Sequence, residues 1–116
     1  MRLEIPAAPQ FLSTARLVAA SVGADAGLSV DDLEDLRLGV DELVATLIER
    51  AADDARIRLD LTRTDGQVTV DGTLDGDAIT DAPNADGLTE RIVAAVVDTY
   101  ELGANSFRLQ KAARER

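Results

Sequence analysis

Residues 36–51 read LRLGVDELVATLIERA, the middle of a segment from Val30 to Ala52 with apolar residues at helical spacing. Leu33, Leu36, Val40, Leu43 and Leu47 recur every three or four positions, which puts them on one stripe of an α-helix. Ser29 stands where a hydroxyl caps the first free amides. Asp31 and Asp32 follow in the first turn, where the helix dipole favours anions. A helix with one apolar stripe cannot bury it alone. The flanking sequence must supply a second layer.

That layer is legible on both sides. Arg2–Ile5 alternates, with Leu3 and Ile5 on one face, and reads as a short strand closed by Pro6 and Pro9. Phe11 to Val22 has helical spacing through Phe11, Ala15, Val18 and Val22, and the stretch from Gly23 to Gly27 is expected to end it. Beyond the long helix, Arg56–Arg63 alternates with Ile57, Leu59 and Leu61 on one side. Asp65-Gly66 is a hairpin signal, and Gln67–Val70 is the return strand. A loop rich in Asp, Gly and Pro is expected from Gly72 to about Asp86. Leu88, Ile92, Val96 and Tyr100 are in helical register, so a third helix is predicted over Leu88–Tyr100, broken by Gly103. Ser106–Gln110 reads as a last strand, and the tail KAARER, residues 111–116, as frayed. The order β-α-α-β-β-α-β predicts an α+β fold: one domain over residues 1–110, a two-layer sandwich with three helices on one face of a sheet.

Bulk properties bound the chemistry. The chain has 116 residues, 46% apolar and 29% charged, enough for one domain with its own core. It contains neither Cys nor His, which removes disulfides, thiolate metal sites and the usual general base near neutral pH. The net charge of −10 disfavours a nucleic-acid grip, which needs a cationic face, and would steer basic partners. No apolar run approaches the roughly 18 residues of a membrane span, and the N-terminus lacks a secretory layout. A soluble cytoplasmic protein is the expectation.

On the long helix Glu42 and Thr46 lie four apart, sharing a face with Asp35 and Gly39. Spacing by itself makes this the water-facing side. The segment also resembles the N-box helix of the GHKL (histidine-kinase-like) ATPases, in particular the anti-sigma-factor serine kinases of the RsbW and SpoIIAB type. The resemblance extends to the N-terminal strand, the helix with Thr14-Ala-Arg16-Leu, the Gly-Leu helix start at 87–88 and the Phe-Arg-Leu strand at 107–109. It implies a GHKL-type sandwich with a mixed, mostly antiparallel sheet. It also implies Mg-ATP as cofactor, Glu42 as the general base, and Thr46 at the position where an Asn ligates Mg²⁺. Arg16 is implied as a contact for a sigma factor and a STAS-type anti-anti-sigma protein, and a homodimer through the first strand's edge is plausible.

Three motifs depart from that pattern. Thr46 replaces the Asn, and a hydroxyl is a poorer Mg²⁺ ligand than an amide oxygen. The Asp-x-Gly-x-Gly motif corresponds to Val68-Thr-Val-Asp71-Gly72-Thr73-Leu74-Asp75-Gly76. If Asp71 takes the Asp place, Thr73 and Asp75 replace both glycines. If strand alternation is kept, Gly72 takes the Asp place and only Gly76 survives. The later glycine motif keeps only Gly87, whose helix start could still hold an anion. From Arg63 to Arg91 no Lys or Arg intervenes, while Asp65, Asp71, Asp75, Asp77, Asp81 and Asp86 are acidic. A triphosphate there meets like charges costing on the order of a kcal/mol each. The loop's aspartates do not match a calcium-binding loop, which needs a closing Glu. The expectation is an anti-sigma-like regulator with weak or lost ATP binding. An active serine kinase, and a scaffold module unrelated to transcription, are the alternatives.

Overall fold

The computed structural model describes residues 1–76 and 87–114. Strand β1 (Arg2–Pro6) leads through a 3₁₀ turn (Pro9–Phe11) into α1 (Leu12–Asp25) and then α2 (Val30–Arg50). The hairpin β2 (Arg56–Thr64) and β3 (Gln67–Asp75) follows, then α3 (Leu88–Val96), β4 (Thr99–Leu102) and β5 (Ser106–Ala112). The strands lie in the order β1-β2-β3-β5-β4, and all four neighbouring pairs are antiparallel.

Alternation explains the two faces. Ile57, Leu59 and Leu61 of β2, Val68 and Val70 of β3, and Leu109 of β5 are buried in one core with Ala15, Ala19 and Val22 of α1 and Leu36, Val40, Leu43, Val44 and Leu47 of α2. The opposite face is polar. Register aligns Arg2, Asp60, Asp71, Arg108 and Glu101 in one row across all five strands. An antiparallel sheet tolerates one solvated face in this way. Ser29 caps α2 as expected, its hydroxyl accepting the Asp32 amide at 3.2 Å.

Four boundaries differ from expectation. Gly23 sits inside α1: a Cβ there would lie 2.6 Å from Leu33 Cδ2, so it allows the two helices to approach closely. The chain turns instead at Gly27, with φ +91°. Strand β3 runs to Asp75 rather than stopping at Val70, because its alternation continues through buried Gly72 and Leu74 and both neighbours pair with it. Helix α3 ends at Val96, so Tyr100 lies in an additional strand, β4, opposite Leu109 of β5. The stretch Val96-Val-Asp-Thr-Tyr100 is rich in β-favouring residues, and the free edge of β5 offers hydrogen bonds a helix would forgo.

The fourth difference is at the C-terminus, where β5 extends through Lys111 and Ala112. Lys111 is buried, its ammonium 3.5 Å from Asp35 and 3.8 Å from Asp32. Arg114 reaches the same pair, 3.1 Å from Asp32 through Nε and paired with Asp35 through Nη2. Residues 111–114 are thus clamped to the first turns of α2. Burial pushes the Asp32 carboxyl up. The Arg114 amide, the Ser29 hydroxyl and the charges of Lys111 and Arg114 outweigh it and hold the group below the usual carboxylate range.

Candidate functional site

Helix α2 presents Glu42, Thr46 and Arg50 at intervals of four, on one face. That face is not the water-facing side the spacing suggested. Thr46 is buried, and so is Gly39, where a Cβ would lie 2.8 Å from Val97 and 3.6 Å from Leu109. Packing against the end of α3 and against β5 gives α2 a second buried face, which a single apolar stripe does not announce. Glu42 is half-buried, and among the described residues no hydrogen bond or ion pair holds its carboxylate. The Thr46 hydroxyl donates back to the Glu42 carbonyl at 2.9 Å, committing its only proton to its own helix.

Between the two registers of the glycine motif, the pleat decides. Val68, Val70, Gly72 and Leu74 point toward the helices, so Gly72 and not Asp71 occupies the inward place. The Asp71 carboxylate stands on the open face of the sheet, accepting from Arg108 Nε at 2.6 Å. It is therefore turned away from Glu42 and Thr46, and the structure does not bring it to the site where the first register would use it. Above Gly72 lies the ring of Phe107: a Cβ built on Gly72 would be 2.2 Å from Cε2 and 2.6 Å from Cζ. No side chain of any kind fits there while the ring keeps its place.

The two remaining glycines flank residues 77–86. Gly76 has φ +115° with Ala55 Cα 3.2 Å from where its Cβ would be. Gly87 has φ +68° at the start of α3. Both adopt backbone that other residues resist. The predicted acidic loop, with Asp77, Asp81 and Asp86, lies outside the described residues. Among the described residues no three acidic side chains gather to hold a metal ion.

Sequence reasoning missed Arg50. Its guanidinium is buried at the end of α2 and donates from Nη1 to the carbonyls of Gly103 at 2.8 Å and Ala104 at 3.0 Å. It ties α2 to the β4–β5 turn, whose Asn105 carbonyl in turn accepts the Leu74 amide of β3 at 2.7 Å. Its spacing of four from Thr46 was the available signal. Arg16 lies elsewhere, on α1, ion-paired with Asp41 of α2 at 3.3 Å. It shares a helix pair, but not a site, with Thr46 and Gly72.

Residues 5–103 match the family model described as the histidine kinase-like ATPase domain, and the chain belongs to that family. Among solved structures, the chain is similar to the RsbU and RsbW domains of Rv1364c from Mycobacterium tuberculosis. The TM-score is 0.61 at 20% sequence identity. That likeness covers 98% of this chain and 32% of the other, so this chain spans about a third of that protein's length. The likeness is one of fold. No curated protein matches the sequence. No helix among the described residues is long and apolar enough to cross a membrane.

Proposed function

We propose that this chain is a cytoplasmic regulator of the RsbW kind that acts by gripping protein partners and holds ATP weakly or not at all. Its partners are a sigma factor, which it occludes, and a STAS-type anti-anti-sigma protein, which competes for it; a homodimer through the edge of β1 is compatible with this. The observation that carries the reading is the Phe107 ring packed over Gly72. Where the family resemblance puts an adenine-binding Asp, this chain has no side chain and no room for one. The residues present therefore do not fit an adenine nucleotide, and Thr46, with its hydroxyl turned back to its own helix, is a poor substitute for an amide ligand to Mg²⁺.

A second reading, an active serine kinase, draws on Glu42, whose carboxylate is half-buried and has no hydrogen-bond partner among the described residues, as a general base needs to be. Two measurements separate them. A pull-down against sigma factors and STAS proteins without nucleotide is expected to retain a partner. If none is retained, the regulator reading is wrong. Calorimetry is expected to show no micromolar Mg-ATP affinity, and Thr46→Asn by itself is expected not to restore it, because Gly72 stays covered. Micromolar binding that Glu42→Ala abolishes would establish the kinase instead.

A further inference from the structure

Helix α2 meets strand β5 and the turn before it at three places. At the start of α2, Asp32 and Asp35 face the Lys111 ammonium at 3.8 and 3.5 Å. In the middle, a Cβ on Gly39 would lie 3.6 Å from Leu109 Cδ2. At the end, Arg50 donates to the carbonyls of Gly103 and Ala104, in the turn that leads into β5. The contacts run in opposite orders along the two elements, so β5 lies antiparallel along α2. The two lengths agree. Asp35 to Arg50 is fifteen positions of helix, ~22 Å at ~1.5 Å each. Lys111 back to Ala104 is seven positions, most of them strand, ~23 Å at ~3.3 Å each. Both end contacts are therefore met together in this one alignment.

Both ends are held by buried cations: Lys111 is 4% exposed and Arg50 8%. Alternation makes Lys111 the third inward residue of β5 after Phe107 and Leu109, a place an apolar side chain would fill without losing hydration. What a buried ion pair supplies in exchange is registry, since it is satisfied in one alignment and costly in the others. Moving β5 by one residue would turn Phe107 to the open face of the sheet. Moving it by two keeps the faces but carries Lys111 from Asp35, and the Gly103 carbonyl from Arg50, by ~6.6 Å. Phe107 stands between the two anchors, three positions from Ala104 and four from Lys111. We propose that Lys111 and Arg50 are positioning residues that lock β5 along α2 and so keep the Phe107 ring over Gly72. The lock rests on the same ring packing that carries the functional reading above, and it adds what holds the ring there.

The ring itself supplies the readout. A Cβ built on Gly72 is nearest Phe107 Cε2, with Cζ at 2.6 Å and Cδ2 at 2.8 Å, so the Gly72 Hα on that side sits over the ring's face and is displaced upfield. The displacement is measured by NMR in the labelled full chain without nucleotide, against Phe107→Leu, which has no ring. Lys111→Met and Arg50→Leu are each expected to lose at least half of it, and Lys111→Arg and Arg50→Lys to retain most of it. Asp35→Asn weakens the Lys111 anchor from the helix side and is the milder variant, expected to move the signal in the same direction. Ile5→Ala removes core volume from β1, at the far edge of the sheet, and controls for lost stability alone. It is expected to leave the signal in place. Amide spectra check that each variant is folded at the measuring temperature. Micromolar Mg-ATP affinity of the parent would sink the functional reading and leave these resonances to decide the lock separately. An unchanged Gly72 Hα in folded Lys111→Met, Arg50→Leu or Asp35→Asn, or an equal loss in Ile5→Ala, would overturn the lock.

Discussion

Gly72→Ala puts a methyl group 2.2 Å from Phe107 Cε2, where van der Waals contact between carbons begins near 3.4 Å. The ring must move by about an ångström to accept it. Phe107 is only 3% exposed and packs in the main core, so the shift propagates into neighbours. Overpacking of a filled core costs ~1–3 kcal/mol, and this contact belongs near ~2.5. At ~4 °C per kcal/mol for a domain of this size, the melting temperature falls by ~10 °C. Phe107→Leu alone leaves a small void and costs ~1–2 kcal/mol. The double variant puts the new methyl into that void, so its loss is expected to be smaller than the sum by ~1 kcal/mol or more. Urea denaturation of the four proteins measures the cycle. A Gly72→Ala variant within ~0.5 kcal/mol of the parent, or strict additivity, would show that the ring does not close the inward site, and the argument against nucleotide binding would go with it.

Lys111→Met leaves Asp32 buried with only Arg114 as counter-ion, and is expected to cost ~3 kcal/mol at pH 7 by denaturant titration. Because the Asp32 carboxyl is depressed in the folded state, its contribution is present above the unfolded value of ~3.9 and is lost as pH falls through the folded one. The gap between the parent and Lys111→Met should therefore narrow below about pH 4; a gap constant down to pH 2 would contradict the ion-pair account. Arg50→Leu removes two charge-assisted bonds to the β4–β5 turn and is expected to cost ~2–3 kcal/mol, with faster hydrogen exchange at the Gly103 and Leu74 amides. Ser29→Ala is expected to cost ~1 kcal/mol and Ser29→Gly only a few tenths, as for an N-cap whose backbone stays in place.

Much of the architecture was present in local pattern. The stripe from Leu36 to Leu47, the Ser29 cap, the Asp65-Gly66 turn and the alternation of β2 each follow from one residue's relation to its near neighbours. Where two patterns overlapped, the sequence was ambiguous. Val96 and Tyr100 fit a period of four and a period of two equally, and only the free edge of β5 settled Tyr100 as strand. Lys111 and Arg114 looked like a solvated tail because their acidic partners are more than seventy positions away.

Residue identity and spacing put Glu42 and Thr46 four apart on one long helix before any fold was known, while the roles of general base and replaced Asn were only what the resemblance implied. Tertiary structure alone decided which way they face. The pleat of β3, set by pairing on both sides, turned Gly72 inward and Asp71 outward. The end of α3 and β5 closed over Gly39 of α2, and Thr46 on the same helix is buried. The antiparallel packing of α1 and α2 brought Arg16 to Asp41, twenty-five positions away. Contacts between distant segments depend on how layers stack, and one chain's local periodicities record only that each segment has a face to bury.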